Sequence, residues 1–434
     1  MSLSRFGQQL TSDAAIVNLM EDLGVALNVN PDVLFLGGGN PAQIPEVEQC
    51  VAQHLQKIAT NPDVLHKLLG IYQSPRGSEA FITELVSFFQ AEFDWPVTAE
   101  NLCITNGSQS AFFMLLNMLG GEQADGSVKR ICFPMLPEYL GYADQGLTHD
   151  MFYGVKPKIV KINEHEFKYH VDFDALVIDE STAAICVSRP SNPTGNVISS
   201  DEMQRLADLA TAANIPLIVD CAYGDPFPGV IYNKDPLSWR APYIFVMSLS
   251  KMGLPGVRTG IVVAEPDITR GLVQANTVTS LACGNLGPVL MTSLLQSNDV
   301  MRLCHDVIYP FYESSKNIIL AAIADKFQGL TYRIHSPEGA FFLWLWFEGL
   351  PISSADLYER LKVKNVLIME GSHFFFGLEA PDSDKKVEVE NIENMNDWPH
   401  ARECIRLTYC QSPEKMTEAV IIIANELRLI YSHQ

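Results

Sequence analysis

The stretch MSLSKMGLPGVRTG, residues 247–260, decides the fold. It follows the short apolar run YIFVM, residues 243–247, whose β-forming residues predict a buried strand ending at Ser248. Lys251 then stands between Ser250 and a Gly/Pro-rich turn. Such a lysine is either a solvated loop residue or a desolvated amine of lowered pKa that attacks a carbonyl carbon. The choice between the two depends on what other strands deliver to the same place.

Length and charge bound the class of protein. A chain of 434 residues is too long for one small core, and we expect a large domain over residues 46–310 and a smaller one built from 1–45 and 311–434. The formal charge of −21 argues against nucleic acid or an anionic membrane as a partner. A local cationic site for a small anion remains compatible with that charge.

Targeting segments and metal-binding patterns are both missing from the sequence. The N-terminal residues lack the apolar core of a signal peptide, and no stretch is apolar for the roughly 18 residues of a membrane span, so we expect a cytoplasmic protein. The nine cysteines are scattered without a Cys-x-x-Cys pair, which favours buried free thiols. The ten histidines show no ligand spacing, so we expect no metal site.

Strands alternate with helices from about residue 100 to residue 290, which predicts an α/β fold with a doubly wound, mostly parallel sheet. In such a sheet, ligands bind at the carboxyl ends of the strands. Polar side chains follow five predicted strands at those ends: Asn106, Tyr139, Asn192, Asp220 and Ser248. Asp220 comes directly after an apolar run, so its burial requires a cation or a hydrogen-bond donor.

Two glycine-containing turns have open interpretations. Gly38 and Gly39 lie in a run of three glycines, which either lets a ligand approach the backbone or forms an ordinary loop. Gly107-Ser108-Gln109 connects a strand to an apolar helix. That turn either directs backbone N–H groups at an anion or is a plain connection with a serine cap.

Two further side chains are equally open. Tyr72, beside a Pro/Gly turn, is either a packed aromatic or a phenol presented to a site. Arg406 lies in an apolar strand and either pairs with a protein carboxylate or binds a ligand carboxylate through both nitrogens. That strand and those predicted at 332–335 and 339–346 indicate a smaller α+β part. The acidic segment 379–397 has few large apolar residues and reads as an exposed mobile loop.

Five motifs in order carry a family resemblance: Asn192-Pro-Thr-Gly195, Asp220-x-x-Tyr223, Ser248-x-Ser250-Lys251, Arg258 and Arg406. Together they resemble the fold-type I aminotransferases that depend on pyridoxal 5′-phosphate (PLP), over nearly the whole chain. Within that family, residues 37–45, 105–113, 137–142 and 338–344 are most similar to the members that exchange an amino group between valine and pyruvate. The acidic segment looks like an insertion relative to the family.

The resemblance implies a role for each matching residue. Lys251 would bind PLP as a Schiff base and then move the proton, and Asp220 would pair with the pyridinium nitrogen. Tyr223 and Asn192 would bind the ring 3′ oxygen, and Tyr139 would stack on the ring. The phosphate would lie on Gly107, Ser108 and Gln109, with Ser248, Ser250 and Arg258 around it. Arg406 would bind the substrate carboxylate beside Gly38, Gly39 and Asn192.

The implied reaction is ping-pong transamination of L-valine and pyruvate to 3-methyl-2-oxobutanoate and L-alanine, a reaction of branched-chain amino acid biosynthesis. The resemblance also implies a homodimer in which Tyr72 reaches the phosphate of the neighbouring subunit. A kynurenine or aromatic aminotransferase is the nearest alternative, and a PLP lyase of the same fold is another. A PLP-sensing transcriptional regulator would need a basic DNA-binding domain, which this acidic chain does not show.

Overall fold

The computed structural model describes residues 2–11, 17, 32–233, 235–378 and 398–432. Residues 11–25, where apolar residues recur with helical spacing, lie mostly outside these ranges, as does all of the acidic segment 379–397. The helices are α1 Arg5–Leu10, α2 Pro45–Thr60, α3 Pro62–Gly70, α4 Glu79–Phe93, α5 Ser108–Leu119, α6 Ser200–Ala213, α7 Pro266–Ser280, α8 Leu286–Gln296, α9 Asp299–Arg302, α10 Tyr309–Lys326, α11 Ser354–Lys362, α12 Pro399–Glu403 and α13 Pro413–Ser432. The strands are β1 Leu34–Phe35, β2 Leu102–Thr105, β3 Gly121–Glu122, β4 Val128–Phe133, β5 Phe152–Gly154, β6 Lys158–Lys161, β7 Glu166–His170, β8 Thr182–Ser188, β9 Leu217–Asp220, β10 Tyr243–Ser248, β11 Gly260–Val263, β12 Arg333–His335, β13 Phe342–Trp346, β14 Val366–Leu367, β15 Met369–Glu370 and β16 Cys404–Thr408.

The large sheet has the order β2-β11-β10-β9-β8-β4-β3, with β5 also paired to β4. Neighbours from β10 through β9, β8 and β4 to β5 run parallel, whereas β11 runs antiparallel to both β10 and β2. All seven residues of β8 and all six of β10 are buried, as expected for strands covered on both faces. The predicted α/β fold with a mostly parallel sheet is therefore confirmed.

The parallel register brings the carboxyl ends of the central strands together. Ser188, the last residue of β8, lies opposite Asp220, the last residue of β9, and Asp220 lies opposite Val246 in β10. The turns that follow these strands consequently open at one edge of the sheet, where an α/β protein binds its ligand.

A second sheet has the order β15-β16-β13-β12-β7-β6. Its strands β6 and β7 form an antiparallel hairpin from the middle of the chain, and β7 pairs in parallel with β12. The sequence analysis had assigned residues 158–170 to the large domain. The domain boundaries stay a prediction. This hairpin is the segment of the predicted large domain that pairs with the sheet of the C-terminal part.

The segment before α2 leads from a separate two-stranded sheet to the site. Strand β1 pairs with β14, and the chain then continues into the glycine run at Gly37. The apolar spacing over residues 46–69 is helical throughout, but the structure has two helices there, because Asn61 caps α3 and Pro62 begins it. Within the described residues, no helix is both long and apolar enough to cross a membrane.

Candidate active site

A cavity of about 660 Å³ opens at the carboxyl edge of the large sheet. Thirteen residues predicted from the sequence line it: Gly38, Gly39, Ser108, Gln109, Tyr139, Asn192, Asp220, Tyr223, Ser248, Ser250, Lys251, Arg258 and Arg406. Two predicted residues, Gly107 and Tyr72, are not among its lining residues. The turns after the strands thus converge as the sequence pattern indicated.

Lys251 is held in a short 3₁₀ turn, Leu249–Met252, directly after β10. Ser248 caps this turn by accepting a hydrogen bond from the Ser250 amide at 3.1 Å. The Lys251 ammonium donates to the Gly39 carbonyl at 2.7 Å. Desolvation is the main reason that its pKa falls to about 8. A substantial fraction of the amine is therefore neutral near physiological pH, which is the form that can act as a nucleophile.

Asp220 is partly buried and receives two hydrogen bonds. The Tyr142 hydroxyl donates to Oδ2 at 2.5 Å, and the Ala222 amide donates to Oδ1 at 2.8 Å. Desolvation raises the pKa of its carboxyl group, whereas the bonds from Tyr142 and Ala222 and the charge of Lys251 oppose that rise. The partner that burial required is therefore a hydroxyl donor that the sequence analysis had not assigned.

A cationic corner lies at the start of α5. Gly107 caps the helix with φ +90°, a backbone conformation that L side chains rarely adopt, and a Cβ atom there would also displace Nη2 of Arg258, which lies 2.4 Å away, so glycine is strongly favoured. In the described part of the chain, no carboxylate pairs with Arg258, whose guanidinium donates at 3.5 Å to the Pro255 carbonyl. A helix N-terminus beside an unneutralised arginine is an anion site.

Arg406 is 2% exposed in the centre of β16. It donates to Oδ1 of Asn192 at 2.7 Å and to the Gly37 carbonyl at 2.5 Å. Its guanidinium carbon lies 4.3 Å and 5.2 Å from the ring centroids of Phe342 and Phe374. Its Nε atom has no hydrogen-bond partner, and no described carboxylate pairs with it. A buried cation without an anion is arranged to receive one from a ligand.

Two tyrosines form aromatic walls of the cavity. Tyr139 packs edge-on against Tyr142, with centroids 5.2 Å apart, and a Cβ atom on Gly141 would lie 2.4 Å from its ring. Burial raises the pKa of Tyr139 to about 12 and that of Tyr223 well above its ordinary value. Both phenols therefore keep their protons and can donate hydrogen bonds.

Tyr72 lies outside the cavity of its own chain. It is 80% exposed, and nearby Leu69 is 76% exposed. Asn285 fixes this corner by donating to the carbonyls of Leu68 and Ile71. The structure of one chain thus presents Tyr72 outward and does not bring it to the site.

The sequence analysis missed five side chains that organise the site. Glu138, Ser188 and Tyr142 lead by hydrogen bonds to Asp220, and Phe342 and Phe374 enclose Arg406. Tyr142 stands three residues after Tyr139 and is carried by the 3₁₀ turn Leu140–Tyr142. The three-residue spacing from Tyr139 was the one sequence signal that could have pointed to Tyr142 as a site residue. The contacts of the other four side chains depend on segments that are distant in the sequence.

One further cluster resembles a set of metal ligands. Cys50, His54 and Asp299 offer ligand atoms within 4.8 Å of one another. Arg302 already donates to Asp299 at 2.8 Å and to Cys50 at 3.5 Å. A cation therefore occupies this cluster, and the expectation of no metal site remains a prediction.

An α/β sheet that delivers a desolvated lysine, a partly buried aspartate and a cationic helix end to one cavity defines a fold-type I transferase. The chain belongs to the class I and II aminotransferase family, whose model matches residues 32–423. It is 42% identical to the valine–pyruvate aminotransferase of Escherichia coli (strain K12) over 427 residues, which cover 98% of both chains.

Solved structures give the same picture. A valine–pyruvate aminotransferase from Salmonella typhimurium LT2 is 40% identical, with a TM-score of 0.85 over 97% of this chain and 100% of the other. A structure from Psychrobacter arcticum 273-4, named as an amino-acid aminotransferase, is 38% identical, with a TM-score of 0.93 over 100% of both chains.

Proposed function

We propose that this chain is a PLP-dependent aminotransferase that transfers the amino group of L-valine to pyruvate. The observation that carries the proposal is the convergence of Lys251, Asp220 and Arg406 on one cavity. The valine and pyruvate specificity rests on the similarity to valine–pyruvate aminotransferases along almost the entire chain.

The residues present fit PLP as the cofactor. Arg258 and the N-terminus of α5 provide an anion site that no described carboxylate fills, and Gly107 lets the Arg258 guanidinium lie close to the helix end without displacement. Asp220 is a partly buried carboxylate that lines the cavity and receives only neutral donors, which suits a protonated ring nitrogen as its remaining partner. When bound, PLP supplies an electron sink for the negative charge that develops at the substrate Cα.

The protein's own residues would bind, orient and move protons. Ser108, Gln109, Ser248, Ser250 and Arg258 would hold the phosphate. Tyr139 would cover one ring face, and Tyr223 and Asn192 would donate to the 3′ oxygen. Lys251 would hold the cofactor through Nζ and, once displaced by the amino acid, take the proton from Cα.

Substrate binding would depend on Arg406 and the glycine run. Arg406 would bind the α-carboxylate that valine and pyruvate share, next to Asn192, Gly38 and Gly39. Fixing the carboxylate at one end orients the Cα–H bond toward the Lys251 amine, and such positioning accelerates reactions strongly. Because both half-reactions use one carboxylate site, the mechanism is ping-pong.

The absorption spectrum of the purified protein tests this function. A visible band of bound PLP should be lost on addition of L-valine, with release of 3-methyl-2-oxobutanoate, and should return on addition of pyruvate with release of L-alanine. Kynurenine and phenylalanine serve as competing donors. Conversion by those amino acids alone would make the kynurenine or aromatic alternative correct, and failure to bind PLP would overturn the whole proposal.

We further propose a homodimer in which Tyr72 of one subunit binds the phosphate in the other. The support is that Tyr72 is 80% exposed and that Leu69 and Ile71, close to it in the chain, are also exposed. An apolar exposed corner is typical of an interface. We also propose a cytoplasmic location, because all nine cysteines are free thiols, as is usual in reducing compartments.

Subunit mixing should reveal the origin of Tyr72. Tyr72→Phe removes one hydrogen bond to a charged group and is expected to weaken PLP binding about 10-fold. In a purified heterodimer of one Tyr72→Phe chain and one Lys251→Ala chain, one of the two sites is intact. It has Lys251 from the Tyr72→Phe chain and Tyr72 from the Lys251→Ala chain. That site should bind PLP with wild-type affinity. Weak binding at this site, or a monomer in sedimentation, would refute the proposed sharing.

A further inference from the structure

Glu138 is a buried acid next to the proposed ring-nitrogen partner. It is 1% exposed, and no described lysine, arginine or histidine pairs with it. Its Oε1 accepts from the Ser188 amide at 2.8 Å, and its Oε2 accepts from the Tyr139 amide at 3.3 Å. An ionised carboxylate without a cation is costly in such a place.

A chain of hydrogen bonds connects Glu138 to Asp220. Glu138 Oε2 and Ser188 Oγ lie 2.5 Å apart, Ser188 Oγ and the Tyr142 hydroxyl 3.4 Å, and the Tyr142 hydroxyl and Asp220 Oδ2 2.5 Å. The chain exists because Ser188 and Asp220 end neighbouring parallel strands in register.

The protonation state of Glu138 decides which group donates in each hydrogen bond of this chain. Ionised Asp220 only accepts, so Tyr142 uses its proton there. A protonated Glu138 donates to Ser188 Oγ across the 2.5 Å contact and frees the Ser188 proton for the Tyr142 hydroxyl 3.4 Å away, whereas an ionised Glu138 accepts that proton itself. Desolvation, with a smaller effect of Asp220, raises the pKa of Glu138 to about 8, which agrees with a protonated carboxyl group.

We propose that Glu138 is a positioning residue: a neutral carboxylic acid that begins a one-way hydrogen-bond chain through Ser188 and Tyr142 and holds Asp220 ionised for the cofactor. This inference rests on the proposed PLP chemistry. Of the two carboxyl groups, Glu138 is 1% exposed whereas Asp220 lines the cavity, so the proposed chain keeps the proton on Glu138. Asp220 then keeps the negative charge that a protonated ring nitrogen requires.

Glu138→Gln and Glu138→Ala distinguish a neutral donor from a carboxylate. The glutamine amide can donate to Ser188 Oγ and accept from the Ser188 amide, as the proposed acid does. Glu138→Gln should therefore bind PLP with an affinity within about 3-fold of the wild type, and its visible band should not shift. Glu138→Ala and Tyr142→Phe should weaken PLP binding by on the order of 10-fold and shift the band.

Infrared difference spectroscopy gives a readout without cofactor. The spectrum of the wild-type apoenzyme minus that of Glu138→Gln should show the carbonyl stretch of a protonated carboxylic acid. The frequency of this band should shift when the protein is transferred to D₂O. Glu403→Gln is the matched control, because Glu403 is also buried but bonds Trp346 and Gly349 away from the cavity. A carboxylate band in the difference spectrum instead of a carboxylic acid band overturns the inference. The inference is also overturned if Glu138→Gln binds PLP as weakly as Glu138→Ala. A wild-type protein that binds no PLP overturns the proposed function instead.

Discussion

Replacement of Lys251 by alanine is expected to reduce transamination by at least about 10⁴-fold. The variant loses both the amine that would hold the cofactor and the base that would move the Cα proton. Within the described residues, no other lysine lines the cavity, so none can substitute for it. Single-turnover conversion of L-valine, followed by chromatography of the 2-oxo acid, measures the loss.

The stability of this variant separates chemistry from folding. Desolvation depresses the pKa of native Lys251 to about 8, so its charged form costs stability below pH 8. That cost fades as the pH rises from about 8 to the ordinary lysine value. The melting temperature of the Lys251→Ala apoenzyme at pH 7 should therefore equal or exceed that of the wild type.

Lys57→Ala is the matched control, since Lys57 is exposed near the end of α2. It should leave both rate and melting temperature unchanged. A Lys251→Ala rate within 10-fold of the wild type would show that the cavity works without this amine, and it would remove the central argument for the proposed chemistry.

The sequence predicted the large sheet because its signal is local. Each central strand is a short apolar run followed by a polar turn, so Asn192, Asp220 and Ser248 could be assigned to one edge before any contact was known. Lys251 followed from the same rule, since it lies in the turn after β10.

Contacts between distant segments could not be predicted in this way. The hairpin of β6 and β7 joins the second sheet through pairing with β12, more than 160 residues along the chain. The chain from Glu138 to Asp220 requires a particular register of β8 on β9. Periodicity does not specify either pairing, because register is set by tertiary packing.

The surroundings of Arg406 could not be predicted from the sequence either. The sequence left open whether this side chain pairs with a protein acid or with a ligand. The answer depended on Asn192, Gly37 and two phenylalanines from separate segments. None of these supplies a negative charge, so the second alternative became the proposal.

Arg406→Lys is expected to lower kcat/KM for both L-valine and pyruvate by on the order of 10²- to 10³-fold, mainly through KM. Lysine keeps a positive charge but cannot make two parallel hydrogen bonds to a carboxylate. It also loses the planar contact between Phe342 and Phe374. Steady-state kinetics with each substrate varied in turn measure the effect.

Arg189→Lys controls for the loss of a buried guanidinium. Arg189 is 3% exposed but donates to the carbonyls of Ile198 and Asp235 outside the cavity lining. Its replacement should lower the melting temperature and leave KM unchanged, because its role is structural.

Isobutylamine, which is valine without its carboxylate, provides the decisive comparison. If Arg406 binds the α-carboxylate, wild type and Arg406→Lys should convert isobutylamine equally slowly, since the interaction is already missing from the substrate. The defect of the variant should therefore disappear with this amine, as in a double-mutant cycle. An equal defect with valine and isobutylamine would mean that Arg406 supports the cavity wall and that another group binds the carboxylate.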